Sequence, residues 1–402
     1  MKSENANNTI ATIDHNNIPE GWKKVKLGEG VDIGSSKRIF YKEYVNKGIP
    51  FYRSKEIIEK YIGKNISTGL FITEEKFNEI KEKFGAPKKG DLLLTSVGTL
   101  GIPYVVNQYD KFYFKDGNLT WFKNFNKNLY NIFLYYWILS PIGRNELEMS
   151  SIGSTQAALT IKGLKNLEIH LPSLSEQKAI ASVLSSIDDK IDLLHRQNKT
   201  LEAMAETLFR QRFVPARAGE PHAGGEEAQE DWGEGKLGKV IGISSGKGLK
   251  KKEYVENGSY PVLGANGEIG RTDKCLFDEK LIFTGRVGTL GKIFISTGKV
   301  WLSDNTLIIK PKEDYFYFVY FLLKNVKLEE YNVGSTQPLI RQSDIKEIEI
   351  LLPKKEQLYN FEAEADLFFK KMQNNQLQIR ILEQLRDALL PNLMSGEVRM
   401  KV

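Results

Sequence analysis

The chain has 402 residues, of which 41% are apolar and 27% charged, with a formal net charge of +6. That is enough apolar material for two or more hydrophobic cores, and no apolar run reaches the ~20 residues that a membrane-spanning helix needs. A single cysteine, Cys275, allows no internal disulfide, and four scattered histidines lack the spacing of a zinc site.

In chain order, residues 1–18 have neither the basic start nor the apolar stretch of a secretion signal, so they read as a disordered tail and a cytoplasmic address is expected. Residues 19–172 read as a small mixed domain. Trp22 is its expected core anchor, and "GIPFY" and "GDLLLTSVGTLGIPYVV" are its short strands, broken by glycine. The run "NLYNIFLYYWILS" predicts a helix laid against the sheet, "IGSTQ" a tight polar turn, and "NLEIHLP" a strand stopped by Pro172.

Residues 173–214 predict one long helix. Leu184, Ile187, Ile191, Leu194, Asn198, Leu201, Ala205 and Leu208 follow the alternating three-four spacing of a coiled-coil seam. Residues 215–231, rich in Pro, Gly, Ala and Glu, read as a linker. Residues 232–353 then predict a second domain, with Trp232, "LIFTGRVGTLG", "DYFYFVYFLLKNV", "VGSTQ" and "EIEILLP" in the same order. Residues 354–402 predict a second long helix and a tail, with Leu358, Phe361, Ala365, Phe368, Met372, Asn375, Ile379 and Leu382 on its seam.

The order is therefore written twice. Glu43-Tyr44-Val45 returns as Glu253-Tyr254-Val255, "VGTLG" recurs letter for letter, and GSTQ and Leu-Pro recur ahead of each helix. The first copy carries extra residues, mostly between Tyr52 and Gly90. The expected fold is α+β: two pseudo-twofold-related mixed α/β domains separated by a long antiparallel two-helix coiled coil. Antiparallel pairing lets the chain turn back at the linker. Asn198 and Asn375 fall near the helix midpoints, where they either face each other and fix register or sit near solvent. Helices of this length span ~54 Å at ~1.5 Å per residue, more than the ~34 Å turn of duplex DNA.

Catalytic signals are missing. No Asn or Asp precedes Pro-Pro and an aromatic, as an amino-methyltransferase requires. "ISSGKGLKKK" lacks the spacing of a phosphate loop, and "FDEKLIF" has no second acidic cluster to hold a metal. The chain reads as a non-enzyme that needs no cofactor and no metal.

The sequences "IPEGWKKVKLGE", "GDLLLTSVGTLG", "IGSTQAALTIKGLKNLEIHLPSLSEQKAIASVLSSIDDKID" and, in the second copy, "VGSTQPLIRQSDIKEIEILLPKKEQ" with "LLPNLMSGEVRM" resemble the specificity subunit of type I restriction-modification systems. The resemblance covers nearly the whole chain. It implies that residues 19–172 and 232–353 are target recognition domains, each reading half of a bipartite double-stranded DNA site, with the helices as spacer. It also implies two methyltransferase subunits and the restriction/translocase subunits as partners, which carry the catalysis. A two-domain protein-binding scaffold without DNA specificity is the competing reading.

DNA binding asks for basic groups on phosphates and for fork or amide groups on base edges. "SSKRIFYK" and "SGKGLKKK" stand at matching places, so Lys37, Arg38, Lys247, Lys250 and Lys251 are expected on phosphates. Base reading is expected of Arg53, Ser54 and Lys55, where the chain leaves its first sheet, and of Asn266 and Arg286 in the second copy, with Ser96 at the place matching Arg286. Thr99 and Thr289 of the VGTLG turns are candidate phosphate donors. So are Thr155, Gln156, Thr336 and Gln337, which otherwise serve as backbone ties at the junction with each helix.

Overall fold

The computed structural model describes residues 19–153, 157–214, 232–287, 291–326, 328–332 and 339–401. They fall into two compact units, one made of the described residues up to 193 with 378–401 and the other of those between 194 and 377. The division runs through the long helices and not through the junctions at 172/173 and 353/354, so each unit keeps part of both helices.

The first unit begins with β1 (Lys23–Lys26), one helical turn α1 (Leu27–Gly30), β2 (Asp32–Gly34) and β3 (Ile49–Tyr52). Then come α2 (Ser54–Tyr61), β4 (Phe71–Ile72) and α3 (Glu74–Phe84). The strands β5 (Leu92–Thr95), β6 (Pro103–Val105), β7 (Tyr113–Phe114) and β8 (Leu119–Lys123) complete the sheets. After them come α4 (Asn131–Leu139), α5 (Pro141–Met149), α6 (Ile161–Asn166), β9 (Glu168–Leu171) and the start of the long helix α7 (Leu174–Phe213).

An antiparallel sheet of order β2-β8-β5-β6 packs against α4, β3 pairs with β4 and, in parallel, with β7, and β1 and β9 form a separate ribbon. Trp22, Leu27, Phe122, Phe133, Trp137 and Leu184 share one core with Leu390 and Leu393 from the other end of the chain. Trp22 is thus the core anchor that its position suggests.

Local chemistry explains the ends of the inserted helices. Thr73 accepts the Lys76 amide to open α3, Glu74 and Glu75 sit in its first turn and Lys81 and Lys83 in its last. Gly85, at φ 84°, closes it in a conformation that side chains avoid.

In the second unit α8 (Leu237–Val240) follows β10 (Gly233–Lys236). Then come β11 (Ile241–Ser245), β12 (Tyr260–Gly264), β13 (Gly267–Thr272), β14 (Phe277–Asp278) and β15 (Leu281–Gly285). The sheets finish with β16 (Ile293–Ser296), β17 (Lys299–Leu302) and β18 (Thr306–Pro311). They are followed by α9 (Phe316–Asn325), α10 (Gln342–Lys346), β19 (Glu349–Leu352) and the long helix α11 (Lys355–Ser395).

The connectivity repeats that of the first unit: β11-β18-β15-β16, a sheet in which β12 pairs in parallel with β17, and a ribbon of β10 with β19. One difference accounts for most of the extra residues of the first copy. Where the second unit turns from β12 into the hairpin strand β13, the first inserts α2 between β3 and β4 and continues into α3.

The helix segments within each unit run antiparallel. In the first, Arg386 pairs with Asp188 at 3.0 Å and Arg399, just past α11, grips Glu176 at 2.6 and 2.8 Å. In the second, Asn375 meets Asn198 and Arg212 meets Glu364, both at 2.8 Å. This is the mixed α/β architecture with paired long helices that the sequence predicts.

Candidate nucleic-acid interface

In the first unit the candidate residues converge on the segment that leads from β7 into β8. Ser36 Oγ donates to the Phe114 carbonyl, the Lys37 amide donates to the Tyr113 hydroxyl, and Arg38 Nε binds Asp116 at 2.7 Å. Ser54 Oγ and the Ser96 amide both donate to the Asn118 carbonyl. Lys37 and Arg38 are exposed, and the Lys37 ammonium lies 5.0 Å from the Phe84 ring at the end of α3. The basic loop is therefore held by the Ser36 hydroxyl, the Lys37 amide and the Arg38–Asp116 pair, while the Lys37 side chain stays exposed.

The second unit assembles the same way around residues 301–305. The Lys247 amide donates to Leu302, the Trp301 indole donates back to the Lys247 carbonyl, and the Arg286 amide donates to Asn305. Gly246 is required here because a Cβ would stand 2.1 Å from the Ser303 carbonyl oxygen. Lys247, Lys250 and Lys251 are exposed, and Asn266 is exposed in the turn joining β12 to β13.

The first residue of each VGTLG stretch is tied by a single bridge to a segment far along the chain. Val97 bridges to Ala158 in the first unit and Val287 to Leu339 in the second. Gly101 and Gly291, at matching places, have φ 76° and 81°, so the turn needs glycine there. Thr99 is exposed at its tip. Thr155, Gln156, Thr289, Thr336 and Gln337 lie outside the described residues.

Two candidates require correction. Ser96 is 3% exposed; its hydroxyl bonds the Leu94 carbonyl and lies 2.7 Å from Thr120 Oγ1, so it serves the sheet and cannot reach DNA. Arg286 has the equivalent backbone bonds, yet its longer side chain escapes to solvent. Arg53 is also committed. Its guanidinium pairs at 2.8 Å with Glu56, a carboxylate buried to 0% exposure, and that hydrogen bond is the main cause that raises the arginine pKa further. The Arg53 amide donates to the same carboxylate at the start of α2. An internal neutralising role therefore replaces the free base-reading fork. Lys55 is exposed, 3.7 Å from Glu59.

The structure adds a basic cleft that the linear sequence does not display. Lys81, Lys88, Lys89, Lys111 and Lys123 line a volume of about 760 Å³ between α3, the loop after β6 and the end of β8. Only Lys88-Lys89 are adjacent in sequence, and that doublet was the available signal. No group of three or more His, Cys, Asp or Glu side chains among the described residues could hold a metal ion, and no described helix is long and apolar enough to cross a membrane.

Comparison with known proteins agrees with this construction. The type I restriction modification DNA specificity domain family matches residues 19–203 and 229–389. The type I restriction enzyme MjaIX specificity subunit of Methanocaldococcus jannaschii is 31% identical, over 96% of each chain. The type I restriction enzyme HindI specificity subunit of Haemophilus influenzae is 22% identical over 94% of this chain and 99% of its own. The crystal structure of a type I restriction-modification system S subunit from M. genitalium superimposes with a TM-score of 0.62, covering 94% of this chain and 97% of that one at 21% identity, which speaks to the fold. A twofold family match over most of the chain, together with a full-length relative, places this protein in the type I restriction-modification specificity subunit family, whose role is DNA sequence recognition in a type I system.

Proposed function

We propose that each unit reads one half of a split duplex target and that the long helices fix the spacing between the halves. The observation that carries this reading is one backbone frame bearing different side chains. Ser96 and Arg286 make the same main-chain bonds, yet one side chain is buried and the other is free to reach a base. Likewise, the strand that ends at α2 in one unit ends at the Asn266 turn in the other. A constant frame with variable tips is what two different half-sites require.

On this reading Lys37, Arg38, Lys247, Lys250 and Lys251 hold phosphates, Thr99 assists them, and Asn266 and Arg286 address base edges, with Ser54 and Lys55 at the first half-site. Domain limits of 19–172 and 232–353, flanked by helical spacers, follow the repeat. Catalysis resides in partner subunits. Methyltransferase subunits dock on the exposed apolar positions of the helices: Leu193, Ile381 and Leu385 in the first unit, and Met204, Leu367 and Leu377 in the second.

Selection from a random duplex library by the chain bound to its methyltransferase partner tests the reading. A split motif with a fixed gap is expected, and its gap should change when whole heptads are removed from both helices. Enrichment of no motif, or a gap that ignores helix length, would overturn it.

A further inference from the structure

The turn at the tip of each basic loop is built identically in the two units. In the first, a single 3-10 turn (Tyr41–Glu43) folds so that Glu43 Oε2 accepts the Phe40 amide at 2.7 Å, while Lys76 holds the same carboxylate at 3.0 Å. In the second, the turn Lys251–Glu253 has Glu253 Oε2 accepting the Lys250 amide at 3.0 Å, with Lys274 on its other oxygen at 2.5 Å. The next residues agree too: the Val45 amide donates to Phe71 on β4 and the Val255 amide to Arg271 on β13, each at 2.9 Å. A carboxylate clamp thus fixes the same pedestal twice.

What the pedestal presents differs. Phe40 and Tyr41 occupy it in the first unit, and Lys250 and Lys251 in the second. Phe40 is 58% exposed and Tyr41 is 89% exposed. Tyr41 is not loose, because its ring leans edge-on against Tyr44 at 6.1 Å, and Tyr44 packs at 5.1 Å on the fully buried Phe51. Two adjacent rings left in water on a braced turn, flanked by exposed Lys37 and Lys42 and by Arg38 paired with Asp116, combine an apolar tip with charge complementary to a polyanion.

We infer that Phe40 and Tyr41 form an aromatic wedge that packs against base faces or opens a base step in the first half-site, while Lys250 and Lys251 on the matching pedestal grip phosphate. The inference rests on the reading that the first unit contacts DNA. It assigns the two half-sites different modes of recognition. Apolar wedges read how readily a step unstacks, a preference that needs no hydrogen bond to a base edge. The lysine pair instead contributes affinity without sequence preference.

The test uses the full chain in complex with its methyltransferase subunits, a random duplex library as probe, and thermal melting to confirm folding of each variant. Wild type should enrich a split motif; a wild-type complex that enriches none overturns the DNA reading and the wedge together. If it does, F40A/Y41A should bind the enriched duplex on the order of 10- to 100-fold more weakly and lose base preference in one half-site only. Y41F should retain both. F40K/Y41K, which copies the second unit's tip, should recover affinity with a steeper salt dependence but without the lost preference. K250A/K251A should weaken all sequences alike and flatten the salt dependence. The wedge is overturned if F40A/Y41A binds within twofold of wild type with its motif intact, or if it loses the methyltransferase subunit and not the DNA.

Discussion

Asn375, with no exposed surface, donates its amide to Asn198 Oδ1 at 2.8 Å across the paired helices of the second unit. Asn198 in turn reaches the Met372 carbonyl at 3.5 Å, and Asn375 Oδ1 has no partner among the described groups. Of the two readings open in the sequence, the facing pair is the one formed. A polar pair in a seam is weaker than leucine but tolerates only the register in which the amides meet. Asn375→Leu alone should cost about 1–3 kcal/mol, because Asn198 is left without its donor. N198L/N375L should recover that loss or exceed wild type. Denaturant titration checks both, and a double variant as weak as the single one would show that the amide pair is not the source.

Glu362 on α11 caps α9 by accepting the Tyr317 and Phe318 amides at 3.0 and 2.7 Å. Burial is the main cause that pushes its carboxyl up, to about 7, with Asp366 adding to it and Lys280 and the two amides opposing it. Between its ordinary value of 4.5 and about 7, the folded state holds more protons than the unfolded one. Stability should therefore fall as pH rises through that window and level off above it. Glu362→Gln should flatten the dependence, a difference on the order of 1–3 kcal/mol between pH 5 and 8. Melting curves at the two pH values decide it.

Matched positions should respond in opposite ways. Ser96→Ala removes a buried hydroxyl bonded to Leu94 and adjoining Thr120, so it should cost about 1 kcal/mol of stability and leave DNA selection unchanged. On the proposed function, Arg286→Ala should leave stability unchanged and relax one base position in the second half-site by about 1–3 kcal/mol. Uniform weakening across all sequences would make Arg286 a phosphate contact instead.

Glycines at the two basic loops are not equivalent. A Cβ on Gly246 would stand 2.1 Å from the Ser303 carbonyl oxygen and 2.5 Å from that of Leu302, and neither is a flexible side-chain tip. Gly34 in the first unit has nothing within 4 Å. Gly246→Ala should destabilise by about 1–3 kcal/mol or displace the lysine loop, whereas Gly34→Ala should be nearly neutral. Thermal melts of the pair, with salt-dependent DNA binding for the loop, test the contrast.

The duplication, the long helices and the asparagine pair were legible because each is a pattern in one dimension: a repeated order of letters, or a spacing along one helix. The sequence also places the seam through Leu208 and Phe368, and there the structure departs from it. The buried positions are Ala205, Phe209 and Phe213, and Phe361, Ala365 and Phe369, every fourth residue. The helices there stop facing only each other and turn toward α9, where Phe209 meets Phe318 at 5.8 Å and Tyr317 stacks on Phe369 at 4.4 Å. A heptad cannot announce a third partner. The burial of Ser96 and the five-lysine cleft escaped for the same reason, since each depends on segments that only the folded sheet brings together; the Arg53–Glu56 pair is local, three residues apart, and only the burial of Glu56 needs the fold.

The first unit shares its core between Trp22 and Leu390, Leu393 and Met394, and Arg399 binds both Glu176 and the Glu20 carbonyl. The second unit is one unbroken stretch, residues 194–377. During synthesis, therefore, the unit that is begun first is completed last: the second has all its residues while the first still lacks the helix segment that fills its core. Until residues 378–401 leave the ribosome, the core that holds Trp22 and Leu184 lacks Leu390, Leu393 and Met394. A nascent chain stalled just short of that point would hold a finished second unit and an open first one.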